Sequence, residues 1–187
     1  LAAIEPRALN AVEQIEQWTS QDGFVGVCMD PGWSIPSLYP DDEVIDPVYK
    51  YCEEHDLIVS IALSPPICKD LSYVDPLHVQ KVAQKFPKLK IVIPHGAFPF
   101  FHTAISVAIF CPNVYLLPDL YLALPGAYMA DDLVTAANYF AKGKILFASS
   151  YPAVGMGQSV RAWKSRKFSE EGLRLAMYES AARLLKL

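Results

Sequence analysis

Charge is scarce in this chain of 187 residues. Charged side chains make up 19% of it, and 16 Lys and Arg stand against 20 Asp and Glu for a net charge of −4. No run of Lys and Arg breaks that balance, which argues against a nucleic-acid surface. Cysteine is scarce too. Cys28, Cys52, Cys68 and Cys111 show no CxxC spacing, so they read as buried or free thiols of a reducing compartment, not as a disulfide framework or zinc site. A cytoplasmic protein is expected. Long apolar runs are missing: Phe98 to Phe110 contains His102, Thr103 and Ser106 and is too short and too polar to span a bilayer. No secretory signal is read, and a start at Leu1 in place of Met points to a fragment. A Gly-x-Ser-x-Gly nucleophile elbow is also absent.

Apolar residues are abundant, at 52%. That excess suits a single α/β domain over residues 1–187 whose parallel strands are covered on both faces. A helix is predicted over 5–20, with Pro6 in its first turn and Ala8, Leu9, Val12 and Ile15 near one face. Five apolar runs read as buried strands: Phe24 to Met29, Leu57 to Leu63, Leu89 to Ile93, Asn113 to Leu117 and Ile145 to Phe147. Helices are expected from Asp41 to about His55, Pro76 to Phe86, after Gly96 to Phe110, Met129 to Ala141, and from Ser169 onward. Strands alternating with helices mean a parallel sheet with right-handed crossovers. Two architectures fit: a complete five-stranded doubly wound sheet, which composition alone favours, or the last five units of a (β/α)8 barrel.

In both, the carboxyl ends of the strands build the site. Those ends read Asp30-Pro31-Gly32-Trp33, Ser64-Pro65-Pro66, Pro94-His95-Gly96, Pro118-Asp119 and Ser149-Ser150-Tyr151-Pro152. His95 carries an imidazole that titrates near neutral pH, the property of an acid, a base or a polarising group; the plainer alternative is a ring satisfied by a carbonyl. Asp30 and Asp119 are candidate ligands or bases, though Asp30 before Pro31-Gly32 equally suits a turn. Ser149 and Ser150 are candidates to bind a substrate carboxylate. Trp33, Tyr39 and Tyr121 are candidates for an aromatic pocket wall or for loop packing. Gly155-Met156-Gly157 is a weak phosphate-cradle signal. His102 is expected to face the core, and His55 and His78 to lie on helices without chemistry.

Several stretches, in their order and spacing, resemble the second half of the amidohydrolase-2 barrel. They are Asp46-Pro47-Val48-Tyr49, the run from Phe86 to Gly96, Asn113-Val114-Tyr115, the run from Ile145 to Pro152, and Ser180-Ala181-Ala182-Arg183-Leu184-Leu185. That family includes aminocarboxymuconate semialdehyde and resorcylate decarboxylases. The resemblance implies a TIM (β/α)8-type barrel of which this chain holds strands four to eight, and it tips the choice from the doubly wound sheet. It implies hydrolysis or non-oxidative decarboxylation of a small carboxylated or cyclic substrate with a divalent metal, zinc or manganese, and His95 beside the metal-bound water or substrate. The family's first-strand His-x-His pair does not occur in this sequence. Its fifth-strand histidine falls at about Ala62 and its eighth-strand aspartate at Ser150. Asp30 and Asp119 are then the carboxylates left as replacement ligands, and the metal site is expected to be degenerate. The alternative is a metal-free barrel-derived domain that binds a small ligand or a partner subunit. A homo-oligomer or an amino-terminal segment is expected to cover the barrel's open edges.

Overall fold

The computed structural model describes residues 1–63, 68, 70–124, 126–127 and 129–187. Its five parallel strands stand side by side in the order the chain makes them: β1 (Ala2–Ala3), β2 (Gly26–Met29), β3 (Ile58–Ile61), β4 (Lys90–Pro94) and β5 (Val114–Leu117). Val27 pairs with Val59, Val59 with Ile91, and Ile91 with Val114. A doubly wound sheet reverses its order at a switch point, whereas a barrel wall adds strands consecutively. The doubly wound alternative is therefore overturned. One glycine is fixed by this close pairing: a Cβ on Gly26 would collide with the Ile58 carbonyl.

Two strands differ from expectation. β1 carries only two alanines, too short to leave a pattern in the sequence, and it pairs Ala2 with Val27. The expected last strand shrinks to a parallel bridge between Ile145 and Leu116. There the Leu116 N–H donates to Lys144 O and the Leu146 N–H to Leu116 O, both at 2.8 Å. The next donor, the Phe147 N–H, turns to Ala176 O at 2.9 Å.

The period-2 alternation of strands separates two faces. On one, Val27, Met29, Val59, Ile61, Leu63, Ile91, Ile93, Val114, Leu116 and Ile145 join the main core with the helices. The helices are α1 (Ala11–Thr19), α2 (Asp46–Glu54), α3 (Pro76–Lys85), α4 (Phe101–Phe110), α5 (Ala130–Asn138) and α6 (Met156–Ser165). On the other face, Ile58, Val92 and Leu146 form a small cluster with Tyr115 and Leu117. Leu184 and Ala181 cover it. They belong to the closing helix, which runs as α7 (Glu170–Arg174), a π turn over Leu175–Glu179 and α8 (Ser180–Leu185).

Local chemistry explains the helix starts. Asp75 Oδ1 accepts from the Leu77 N–H at 2.9 Å, with Pro76 in the first helical position. The helix predicted over 5–20 begins only at Ala11, because Ala8 N–H bonds Glu5 O and Ala11 N–H bonds Ala8 O in two successive tight turns. α6 has no counterpart in the sequence reading, since Gly157 sits in its first turn and its buried positions reduce to Ser159 and Trp163. His102 is not in the core. Phe101, Ala104, Val107 and Ala108 take the inward face of α4, and His102, 70% exposed, pairs with Asp132 at 3.0 Å. All four cysteines are free thiols. Among the described residues, no helix is long and apolar enough to cross a membrane.

Candidate active site at the carboxyl ends of the strands

The ends of β4 and β5 bring His95 and Asp119 together. Asp119 is 2% exposed. Its Oδ2 lies 2.8 Å from His95 Nδ1 and also accepts the His95 backbone N–H at 3.1 Å, while Oδ1 accepts the Leu120 N–H at 2.5 Å. Continued alternation would send His95 to the helix side with Ile91 and Ile93. The left-handed backbone at His95 (φ 59°) breaks that alternation, and Asp119 (φ 38°) is left-handed as well. Non-glycine residues in this region are strained and persist where their surroundings hold them, commonly at functional sites. Gly96 follows at φ 57°, where a Cβ would come within 2.8 Å of the Phe101 ring.

The carboxylate has an electrostatic consequence. Its hydrogen bond to the ring holds His95 protonated to higher pH than an ordinary histidine, against the opposing effect of burial and with further help from the charges of Asp119 and Asp30. Nδ1 faces Asp119, and Nε2 has no hydrogen-bond partner among the described residues.

Asp30 stands at the end of β2. Burial raises its carboxyl above the ordinary range, and the charge of His95 draws it partly back. Asp30 opens the turn over Pro31–Trp33 as expected, its backbone carbonyl accepting the Trp33 N–H at 3.0 Å, but its side chain makes no cap on that turn. With Trp33, Ser34 and the segment from Ala3 to Pro6 it lines an open cavity of about 330 Å³. A Cβ on Gly32 would meet Cys68 Sγ at 2.8 Å, which places Cys68 against this wall.

Other expected site residues lie as follows. Ser150 is a third left-handed strand-end residue (φ 55°). Ser149 is buried, and its Oγ accepts the Tyr151 N–H at 3.2 Å. Ala62 follows β3 and donates its N–H to Met29 O at 2.9 Å. Tyr121 stacks on Phe98 with centroids 4.7 Å apart. Tyr39 leaves the mouth and stacks between Tyr73 and His78, each at 4.5 Å. His78 in turn pairs with Asp41. Ser64-Pro65-Pro66, the expected end of the second strand, lies outside the described residues.

A divalent ion needs three or four nitrogen or anionic oxygen ligands in fixed geometry. Ala62 offers a methyl group and Ser150 a neutral hydroxyl. Asp119, expected as a possible ligand, has both oxygens engaged by N–H donors. Among the described residues, no group of three or more His, Cys, Asp or Glu is placed to hold a metal. The described residues of this chain thus do not fit the ion.

Consecutive parallel strands with a polar constellation at their carboxyl ends define a protein of the TIM-barrel type. A sequence profile of the family described as Amidohydrolase matches residues 1–187, and the chain belongs to that family. It is similar to an uncharacterised TIM-barrel protein from Bordetella bronchiseptica, at 28% identity and a TM-score of 0.87, over 99% of this chain and 64% of that one. It is similar in fold to a 5-carboxyvanillate decarboxylase from Sphingomonas paucimobilis, at 17% identity and 0.73, over 100% and 66% of the two chains. A dihydroxybenzoic acid decarboxylase from a Polaromonas species, solved with manganese and the inhibitor 2-nitroresorcinol, is similar at 17% identity and 0.69, over 95% and 65%. The chain therefore spans about two thirds of the length of these structures. No curated protein matches it.

Proposed function

We propose that the mouth carries out hydrolysis or non-oxidative decarboxylation of a small carboxylated or cyclic substrate, with His95 as the acid. The observation that carries this reading is the pairing of His95 with buried Asp119 at 2.8 Å. Asp119 fixes the ring through Nδ1 and favours its charged form, which leaves Nε2–H to be donated to substrate. In a decarboxylation the C–C bond breaks, CO₂ leaves, and that proton goes to the carbon. In a hydrolysis water adds across the bond and the proton goes to the leaving group. Ser149, Ser150 and Trp33 are the proposed substrate contacts. Family membership and decarboxylases among the structural neighbours support the reaction class.

The family's divalent ion, zinc or manganese, would find a degenerate site here, since Ala62 and Ser150 stand at two of its ligand positions. That same feature favours a second reading, a metal-free domain that binds a small ligand or a partner subunit without turning it over. A second copy, or a preceding segment covering the free edge of β1, belongs to both readings, as does a cytoplasmic setting for the four free thiols.

The deciding experiment is a turnover screen over small aromatic and cyclic carboxylates, following CO₂ release and ring opening. His95→Ala should lower kcat/KM by about 10²–10⁴-fold with little change in melting temperature. Unchanged turnover would sink the assignment. Binding without turnover in the wild type would favour the second reading.

A further inference from the structure

The misfit between the family's ion and these side chains has a positive counterpart. A divalent ion in such a mouth supplies concentrated positive charge beside the substrate. Here the family's ligand positions carry a methyl (Ala62) and a neutral hydroxyl (Ser150). At the end of β5, Asp119 is buried and accepts from the His95 ring and two backbone N–H groups. Its charge is spent on an imidazole and is not offered to a cation. At the end of β2, Asp30 keeps a carboxylate without a side-chain cap, lining the cavity beside Trp33.

We infer that the residues of this chain run the mouth without a divalent ion, the His95 ring paired with buried Asp119 standing in for the ion and Asp30, at the end of β2, serving as the proton acceptor. The inference rests on the acid role proposed for His95 and deepens it. Among the described residues, a cation entering this site would meet the His95 ring, paired with Asp119, and no converging set of three or four ligands. An anionic substrate group meets complementary charge at His95, and Asp30, at the carboxyl end of β2, supplies a carboxylate to take a proton from water or substrate.

Two titrations on the protein test this. In the first, Mn²⁺ is followed by its electron paramagnetic resonance signal. The wild type should bind no more tightly than about 1 mM, and Asp30→Asn should not change that. Installing the missing ligands in Ala62→His with Ser150→Asp should tighten binding at least about tenfold. One Mn²⁺ per chain in the micromolar range, weakened by Asp30→Asn or Asp119→Asn, would overturn the inference. In the second, benzoate is titrated against tryptophan fluorescence in the presence of a chelator. Binding should persist and should weaken about tenfold or more in His95→Gln. Binding that appears only when Mn²⁺ is added would overturn the inference while leaving His95 as the acid. Chelator-resistant binding that His95→Gln leaves unchanged would instead sink the acid role and leave the mouth metal-free.

Discussion

The two faces of the sheet divide the work. The helix-facing side is a continuous apolar layer: Val27, Val59, Ile61, Ile91, Ile93 and Leu116 are fully buried within one core. The opposite side carries Cys28, Ser60, Lys90, Val92 and Tyr115 by strand alternation, and its apolar content is a small cluster covered by Leu184. Lys90, at the amino end of β4, pairs with Asp56 at 2.7 Å. Stability is therefore concentrated behind the sheet, and the polar chemistry stands in front of it and at its carboxyl ends. Packed apolar area holds the strands in place; that lets the front face tolerate a buried carboxylate, three left-handed strand-end residues and an imidazole.

Two neighbours on β4 separate the two faces most clearly. Ile91→Ala removes side-chain volume from the main core and should cost about 2–5 kcal/mol. Val92→Ala, on the front face, removes a smaller group beside a helix that can settle inward and should cost ~1–2 kcal/mol. Chemical denaturation of the two variants reads the difference. Equal losses would mean that both faces carry the fold alike.

A smaller effect is expected at the mouth. Asp119→Asn should destabilise the protein by about 1–2 kcal/mol, and the loss should depend on pH. His95 is held protonated to higher pH in the folded chain than in the unfolded one, mainly by its hydrogen bond to Asp119. Its contribution is thus complete below the ordinary histidine value of about 6.5 and disappears as pH rises through the folded value. The gap between wild type and Asp119→Asn should be widest near pH 5–6 (roughly, set by that reference value) and narrow toward alkaline pH. A gap independent of pH would make Asp119 a structural hydrogen-bond acceptor and nothing more.

Much of the fold was legible because the strands bury most of their side chains and so read as largely apolar runs. Val59 to Leu63 and Ile91 to Ile93 announce themselves for that reason. β1 did not, since two alanines carry no pattern and owe their state to pairing with Val27 and Cys28. α6 was hidden by Gly157 and by a buried face that contains a serine. At the site, the residue types at the strand ends could be read off, but their partnership could not. Asp119 looked like a free carboxylate and is a ring partner, a fact set by the adjacency of β4 and β5 and by two left-handed backbones. The one sequence clue was strand order: once consecutive strands are assumed, residues just past neighbouring strand ends are the first pairs to test.

The smallest expected effect has the opposite sign. Burial raises the Asp30 carboxyl, partly offset by the charge of His95, so in the folded chain this group ionises less readily than in the unfolded one. The folded state is then favoured below the ordinary aspartate value of about 3.9 and loses that advantage as pH rises through the folded value. At neutral pH the protein holds a poorly solvated carboxylate, and Asp30→Asn should relieve it. We expect a gain of about 0.5–1 kcal/mol at pH 7, seen as a rise of roughly 1–4 °C in melting temperature and fading toward pH 4. Turnover should fall in the same variant, because the group that costs stability is the one proposed to accept the proton. A variant that is less stable at pH 7 would mean that Asp30 is held by the fold as a structural residue. One that is more stable and equally active would remove it from the reaction and leave His95 to act alone.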